Sequence, residues 1–466
     1  MANQTIINFL TLPVELVYRI LDYESDFTLI CSMTNTLTAL DLSRNQIGDT
    51  GAQYLAIALQ HNTTLIILNL RTNRIGNVGA QYLADALQHN TTLTTLELWI
   101  NQIKDVGAQY LADALQHNTT LTTLNLSSNQ IGHIGAQSLS NALLHNTTLI
   151  TLDLSINQIG HVGAQYLGDA LQHNIVTLIV SLSISCLYFH FFIQTLTTLD
   201  LEWNKIEDVG AQYLAGALQH NTTLTTLELS SNQIGHVGAQ YLGDALQHNT
   251  TLTTLVLWTN EIGHVGTHYF SNALKYNTTL TTLNLAANQI GDVGAQYLAN
   301  ALQYNTTLTT LELWSNQIGD VGAQYLADTL QHNIVTLIVS LSIPCLYFYF
   351  FIQTLTTLDL EWNKIGDVGA QSLSNALQHN TTLITLNLAE NQIGDAGAQY
   401  LADALQHNTT LTTLGLRFNK IKYIGAQSLA DALQHNTTLM TLHFVGNSIE
   451  KDAMHLIDEL FERNQR

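Results

Sequence analysis

Residues 92–119 read TLTTLELWINQIKDVGAQYLADALQHNT, and the same 28-residue unit recurs along most of the chain. Indexed on its asparagine, the unit stands at Asn45, Asn73, Asn101, Asn129, Asn157, Asn204, Asn232, Asn260, Asn288, Asn316, Asn363, Asn391, Asn419 and Asn447, which is 14 repeats. Eleven of the 13 steps are 28 residues and the other two are 47. Each unit has two halves of different period. Leu96, Leu98 and Asn101 alternate as in a short strand. Asp105 to Gln116 has helical spacing, which predicts Asp105 as N-cap and puts Val106, Leu111 and Leu115 on one face. Gly107 and Ala108 are expected to let the helix sit close to the strand layer. One unit cannot bury its own apolar face, whereas stacked neighbours can. The expected fold class is α/β, a solenoid with a parallel sheet on one side and helices on the other.

The LxxLxLxxNxI string followed by a G-A-Q-x-L helix resembles the leucine-rich repeat family, and its 28-residue unit is most similar to the ribonuclease-inhibitor-type subfamily. The resemblance covers residues 37–447. It implies a horseshoe with the sheet on its concave face. It also implies asparagines such as Asn101 bonding backbone across the turn after each strand. Residues 448–466, with Met454, Ile457, Leu460 and Phe461 among charges, suit a C-terminal capping helix.

Charge narrows the function. The chain of 466 residues carries 14 Lys and Arg against 35 Asp and Glu, a formal charge of −21. Such a surface repels phosphate backbones and anionic lipid, so neither nucleic acid nor a polybasic membrane attachment is expected. A protein partner with a basic surface is compatible. Cys31, Cys186 and Cys345 form no metal-type pair, and the N-terminus lacks the basic and apolar regions of a secretory signal. A cytoplasmic, reducing compartment is the expectation.

The 47-residue steps hold near-identical apolar segments, residues 176–194 and 335–353, which lie 159 residues apart. A block of five repeats plus insert was therefore duplicated. Three readings stay open: membrane spans, loops between a helix and the next strand, or short introns translated in frame. Deleting Val176 to Gln194, or Val335 to Gln353, restores the 28-residue register without a residue to spare.

The resemblance places the residues two and four before each asparagine on the concave face, with the preceding residue at the strand end. All five tryptophans of the chain stand two or one before the asparagine: Trp99, Trp258 and Trp314 at the former, Trp203 and Trp362 at the latter. Tryptophan is strongly enriched at binding hot spots. Glu97, Asp153, Asp200, Glu202, Glu228, Glu312, Asp359, Glu361 and Glu390 lie in the same strips. Parallel strands stand ~4.8 Å apart, so carboxylates on adjacent repeats repel unless a cation meets them. This predicts a partner-binding face for Lys or Arg side chains, with Arg71, Arg417 and Phe418 in a different patch nearer the ends. The bland alternative is solubility from the acids and packing from the indoles.

No catalytic constellation, cofactor motif or metal-type cluster stands out, so the chain is expected to be no enzyme. The HNTT loops carry N-x-T sequons at eleven repeats, Asn62 to Asn436, and a histidine ladder at His61, His89, His117 and their equivalents. Turn residues and a polar edge explain both.

Before the first repeat, within residues 1–36, Leu12-Pro13-Val14-Glu15-Leu16 and Ile20 resemble the opening of an F-box. That resemblance implies contact with the Skp adaptor of cullin ubiquitin ligases through Leu12, Pro13, Leu16 and Ile20. The segment is too short for a whole F-box, and an N-terminal cap for the solenoid is the other reading. Three functions remain: a scaffold or sensor, an F-box-like substrate receptor, and a small-GTPase regulator of the Ran-activator type, which shares this repeat.

Overall fold

The computed structural model describes residues 37–172, 195–331 and 354–448 in full, and the backbone of residue 173, Ile6–Asn8, Val176–Ile179 and His190–Ile193. It divides into two units, Met1–Gln233 and Ile234–Arg466. In the first unit, strands β1 (Ile6–Asn8), β2 (Ala39–Asp41), β3 (Ile67–Asn69), β4 (Thr95–Glu97), β5 (Thr123–Asn125) and β6 (Thr151–Asp153) pair in parallel. Strands β7 (Val176–Ile179) and β8 (His190–Ile193) form a separate antiparallel pair. Strands β9 (Thr198–Asp200) and β10 (Thr226–Glu228) complete the parallel sheet. The second unit holds a parallel run of β11 (Thr254–Val256), β12 (Thr282–Asn284), β13 (Thr310–Glu312), β14 (Thr357–Asp359), β15 (Thr385–Asn387), β16 (Thr413–Gly415) and β17 (Thr441–His443). A helix follows every repeat strand except β17 among the described residues, from Gly48–His61 to Tyr423–Leu433. All 14 strands expected from the repeat are present.

The core is one column of leucines repeated. Leu93, Leu96, Leu98, Ile103, Leu111 and Leu115 of one unit are buried, as are their counterparts. Burying one such side chain stabilises the fold by ~1.5–3 kcal/mol, and each is covered by the same residue types from the neighbouring repeat.

The asparagines do more than close their own turn. Asn101 Nδ2 donates to the carbonyls of Leu98 (2.8 Å) and of Leu70 in the preceding repeat (3.0 Å). Its Oδ1 accepts the N–H groups of Asn73 (3.0 Å) and Ile75 (2.9 Å). The sequon asparagines form a second ladder. Buried Asn118 donates to the Leu87 carbonyl (2.7 Å) and accepts from the N–H groups of Thr120 (3.0 Å) and Leu121 (2.7 Å). An amide held this way has no access to a glycosylating enzyme in the folded chain.

Three local expectations need correction. The helix Lys104–Leu115 has no side-chain cap of its own. Asp105 instead accepts the N–H groups of Gly132 (2.7 Å) and Gly135 (2.9 Å), the start of the following helix. The buried face is Gly107, Ala108, Leu111, Ala112, Ala114 and Leu115, while Val106 is 48% exposed. Val106 sits in the first turn, off the buried face. Gly107 meets its neighbours rather than the strands: a Cβ there would lie 2.6 Å from Ile103 Cγ2 and 3.1 Å from Ala80 Cβ of the preceding helix.

The repeats ignore the inserts. β6 pairs directly with β9, Thr151 opposite Thr198, and Asn204 Nδ2 reaches the Leu154 carbonyl at 2.9 Å. Likewise β13 pairs with β14, and Asn316 N–H donates to Asn363 Oδ1 at 3.1 Å. Among the described residues no helix is long and apolar enough to cross a membrane. Residues 335–353, the N-terminal residues Leu12, Pro13, Leu16 and Ile20, and the expected C-terminal cap beyond Ser448 lie outside the described residues.

Candidate functional site

Strand alternation turns one row inward and the next outward. Leu96 and Leu98 point to the helices, so Glu97 and Trp99 face the open side of the sheet and are half-buried. The same holds for Asp153, Asp200, Glu202 and Glu228 in the first unit, and for Trp258, Glu312, Trp314, Asp359 and Glu361 in the second. Trp203 and Trp362 follow the strand in left-handed backbone (φ 56° and 55°) and are 54% and 60% exposed. The equivalent residues Thr72, Ile100, Ser128 and Ile156 share that conformation, so the turn imposes it.

The acid four before the asparagine has a local reason. Asp153 Oδ1 accepts the Ser155 N–H (2.9 Å), Asp200 Oδ1 that of Glu202 (2.9 Å) and Asp359 Oδ1 that of Glu361 (2.9 Å). Asn69 and Asn125 do the same for Arg71 and Ser127, so asparagine serves this turn equally well. The negative charge is therefore additional to what the turn requires.

In the first unit the carboxylates crowd. Asp200 is pushed up to about 7, first by burial and then by Asp153, Glu228 and Glu202, against the opposing bond from the Glu202 N–H. Burial and Asp153 raise Glu97, whose carboxylate accepts from Asn125. Burial raises Glu202, with Asp153 adding to it and a bond from the Trp203 side chain opposing it. Trp99 stands apart from these acids in kind: the Arg71 guanidinium lies 4.0 Å from its ring centroid. Arg71 was expected in a different patch; strand pairing sets it beside Trp99 on the neighbouring strand.

In the second unit, the Trp258 and Trp314 rings meet at 5.9 Å, tilted by 38°, although they stand two strands apart. The strand between carries the small, buried Ala286 at that position, which leaves room for the rings to lean together. Beyond Trp314 lies a cavity of about 470 Å³ lined by Trp314, Ser315, Asp359, Glu361 and Trp362. Asn387 Nδ2 donates to Asp359 Oδ2 (3.2 Å) and to Glu361 Oε2 (2.9 Å), tethering both carboxylates. Burial raises Asp359, and Glu361 adds to it; burial raises Glu312, and Asp359 adds to it. A second cavity of about 250 Å³ runs on from Asp359 and Glu361 over Gly415 to Arg417 and His443. Arg417 Nη2 and His443 Nδ1 are 3.3 Å apart.

The structure thus gathers Asp153, Asp200, Glu202 and Glu228 in one cluster, and Trp314, Asp359, Glu361 and Trp362 around one cavity. Sequence reasoning missed Asn387 and Gly415. An asparagine bridging two carboxylates leaves no periodic mark, but a glycine within a strand, here at its end, is a readable signal. No group of metal-ligating side chains converges among the described residues.

Comparison with known proteins agrees with this architecture. The leucine-rich repeat family model matches twelve segments: 35–56, 61–84, 89–112, 117–140, 145–168, 193–215, 220–243, 276–299, 304–327, 352–374, 379–402 and 407–430. Together they cover more than half of the chain, which belongs to the leucine-rich repeat family. Among solved structures, an internalin from Listeria monocytogenes is similar over 93% of this chain and 94% of its own, at 21% identity and a TM-score of 0.50. At that identity the likeness concerns the fold alone. No curated protein matches the sequence.

Proposed function

We propose that this protein is a non-catalytic binding scaffold whose open sheet face takes a protein partner with a basic surface. Leucine-rich repeats commonly serve as protein-interaction modules, and the helices of 11 to 14 residues fit the ribonuclease-inhibitor-type subfamily. The observation that carries the reading is the gathering of half-buried carboxylates beside indoles on the open face. Glu97, Asp200, Glu202, Glu312 and Asp359 are all raised, and burial is the first cause in each. Four residues before the asparagine the turn needs only an Asx side chain, so the charge there is additional, and a cationic partner offsets both the burial of these acids and their mutual repulsion. Indoles beside them supply apolar area and cation–π attraction.

The test is capture from cell extract with wild type, the Trp258→Ala/Trp314→Ala variant and a variant of exposed helix residues. Partners retained by wild type and the helix variant but lost by the tryptophan variant support the face. Equal retention by all three contradicts it. The F-box-like reading makes a separate prediction, retention of the Skp adaptor through Leu12, Pro13, Leu16 and Ile20. Failure to bind purified adaptor removes it.

A further inference from the structure

We propose that the cavity between Trp314 and Trp362 seats a single arginine side chain of the partner, its guanidinium against the indoles and its N–H groups on Asp359 and Glu361. The inference rests on the binding-face reading and adds a defined subsite to it.

The first support is chemical fit. Two aromatic walls and two carboxylates around about 470 Å³ ask for a flat cation with donors at its edge. Guanidinium alone among side-chain cations presents flat faces to indoles while its rim makes bidentate bonds to carboxylate. An ammonium offers a point charge and no flat face. The acceptors are positioned in advance: Asp359 Oδ1 is tied to the Glu361 N–H (2.9 Å), and Asn387 links Asp359 Oδ2 and Glu361 Oε2 (3.2 and 2.9 Å). A carboxylate oxygen has about two acceptor sites, so each of these oxygens can still take a further donor.

The second support is internal. The chain already contains an arginine on an indole of this face, Arg71 over Trp99 at 4.0 Å. There the arginine comes from the neighbouring strand at the same repeat position. Trp314 has Glu361 at that position on its following neighbour and Ala286 on its preceding one. Lys364 lines an adjoining cavity with Glu390 and Trp362, and is not among the residues lining the cavity between Trp314 and Trp362.

The third support is the duplication. Asp200, Glu202 and Trp203 are the copies of Asp359, Glu361 and Trp362, 159 residues earlier. Four and two before the asparagine, the open-face positions on the two flanking strands all differ: Asp153 against Glu312, Ser155 against Trp314, Glu228 against Asn387 and Ser230 against Ala389. Relative to the first copy, the second has a facing indole, and has the amide that tethers the two acids in place of a repelling carboxylate. These two differences separate a crowded acidic patch from a walled seat.

The experiment is a titration of the full chain, with its tryptophan indoles labelled for NMR, by Nα-acetyl-arginine methylamide. The citrulline and lysine analogues serve as comparisons; citrulline keeps the shape and loses the charge. The expected result is saturable movement of the Trp314 and Trp362 indole signals by the arginine probe, with roughly tenfold or weaker affinity for both analogues. Trp314→Ser, which installs the residue of the first copy and so is compatible with the repeat, should weaken the arginine probe by roughly tenfold or more. Ser155→Trp should bring the Trp203 signal toward the affinity of Trp362. Equal affinity for arginine and citrulline, or no effect of Trp314→Ser, overturns the seat. That failure is distinguishable from failure of the wider reading, because capture of a protein partner by the open face is scored separately.

Discussion

Asn129 shows what a single residue does in this fold. Its Nδ2 donates to the carbonyls of Leu98 (2.9 Å), Leu126 (3.0 Å) and Ser127 (3.0 Å), and its Oδ1 accepts the Ile103 N–H (3.3 Å). Asn129→Ala orphans these buried groups and should destabilise by about 2–4 kcal/mol, read as a lower urea midpoint and faster amide exchange in the repeats on both sides. Asp200 makes a pH prediction. Its folded value of about 7 lies above its ordinary 3.8, so the folded chain holds a proton that the unfolded chain has released. Its contribution to stability is therefore present at low pH and is lost as pH rises from about 4 to about 7. Asp200→Asn keeps the turn bond, as Asn69 and Asn125 do, and removes the ionisation. It should raise stability by about 1–2 kcal/mol at a pH above 7 and change little near pH 4. An equal effect at both pH values would show that Asp200 ionises normally. The buried asparagine was legible because it recurs on a fixed period. Asp200's shift was not, since it depends first on burial in the folded sheet and then on Asp153 and Glu228, which sequence places 47 and 28 residues away.

At the scale of elements, stability passes from one repeat to the next. Asp367 accepts the N–H groups of Gly394 (2.6 Å) and Gly397 (2.9 Å). Asp367→Ala should cost about 1–2 kcal/mol and loosen the helix Asp395–Leu405 rather than the one that carries Asp367, as amide exchange in the two helices would reveal. An acid such as Asp367 at the opening of a helical half was readable as a cap; its client was not, because the bonded groups lie 27 and 30 residues downstream. The inserts behave oppositely. Deleting 176–194 restored the period on paper, and β6 pairs with β9 in the structure. We propose that both inserts are dispensable for the fold. A chain lacking residues 176–194 and 335–353 should melt within a few degrees of the full chain, whereas loss of cooperative melting would assign the inserts a structural role. Sequencing of the message across both segments tests whether they are retained introns.

For the whole molecule, a charge of −21 makes attraction to any cation unsurprising, so the claim concerns where that attraction acts. The rows of the open face were implied by the resemblance to the leucine-rich repeat family, and Glu97, Asp153, Asp200, Glu202, Glu228, Glu312, Asp359 and Glu361 all face it. The reading did not extend to how side chains meet across strands: Arg71 on Trp99, Trp258 leaning over Ala286 to Trp314, and Asn387 bridging two acids. Those depend on rotamers and on lateral neighbours, which a period does not encode. Binding should weaken steeply with added salt, because the contacts proposed are charge pairs at a partly solvated surface. The most direct measurement is the affinity of a short arginine-rich peptide for three forms of the protein at physiological ionic strength. The forms are wild type, the variant Asp200→Asn/Glu202→Gln/Asp359→Asn/Glu361→Gln, and a charge-matched variant of exposed helix acids, Asp85→Asn/Asp113→Asn/Asp244→Asn/Asp403→Asn. The account predicts that the sheet-face variant binds roughly tenfold or more weakly while the helix variant stays near wild type. Equal losses in the two variants would mean that net charge alone draws the peptide, and would contradict a binding face on the sheet.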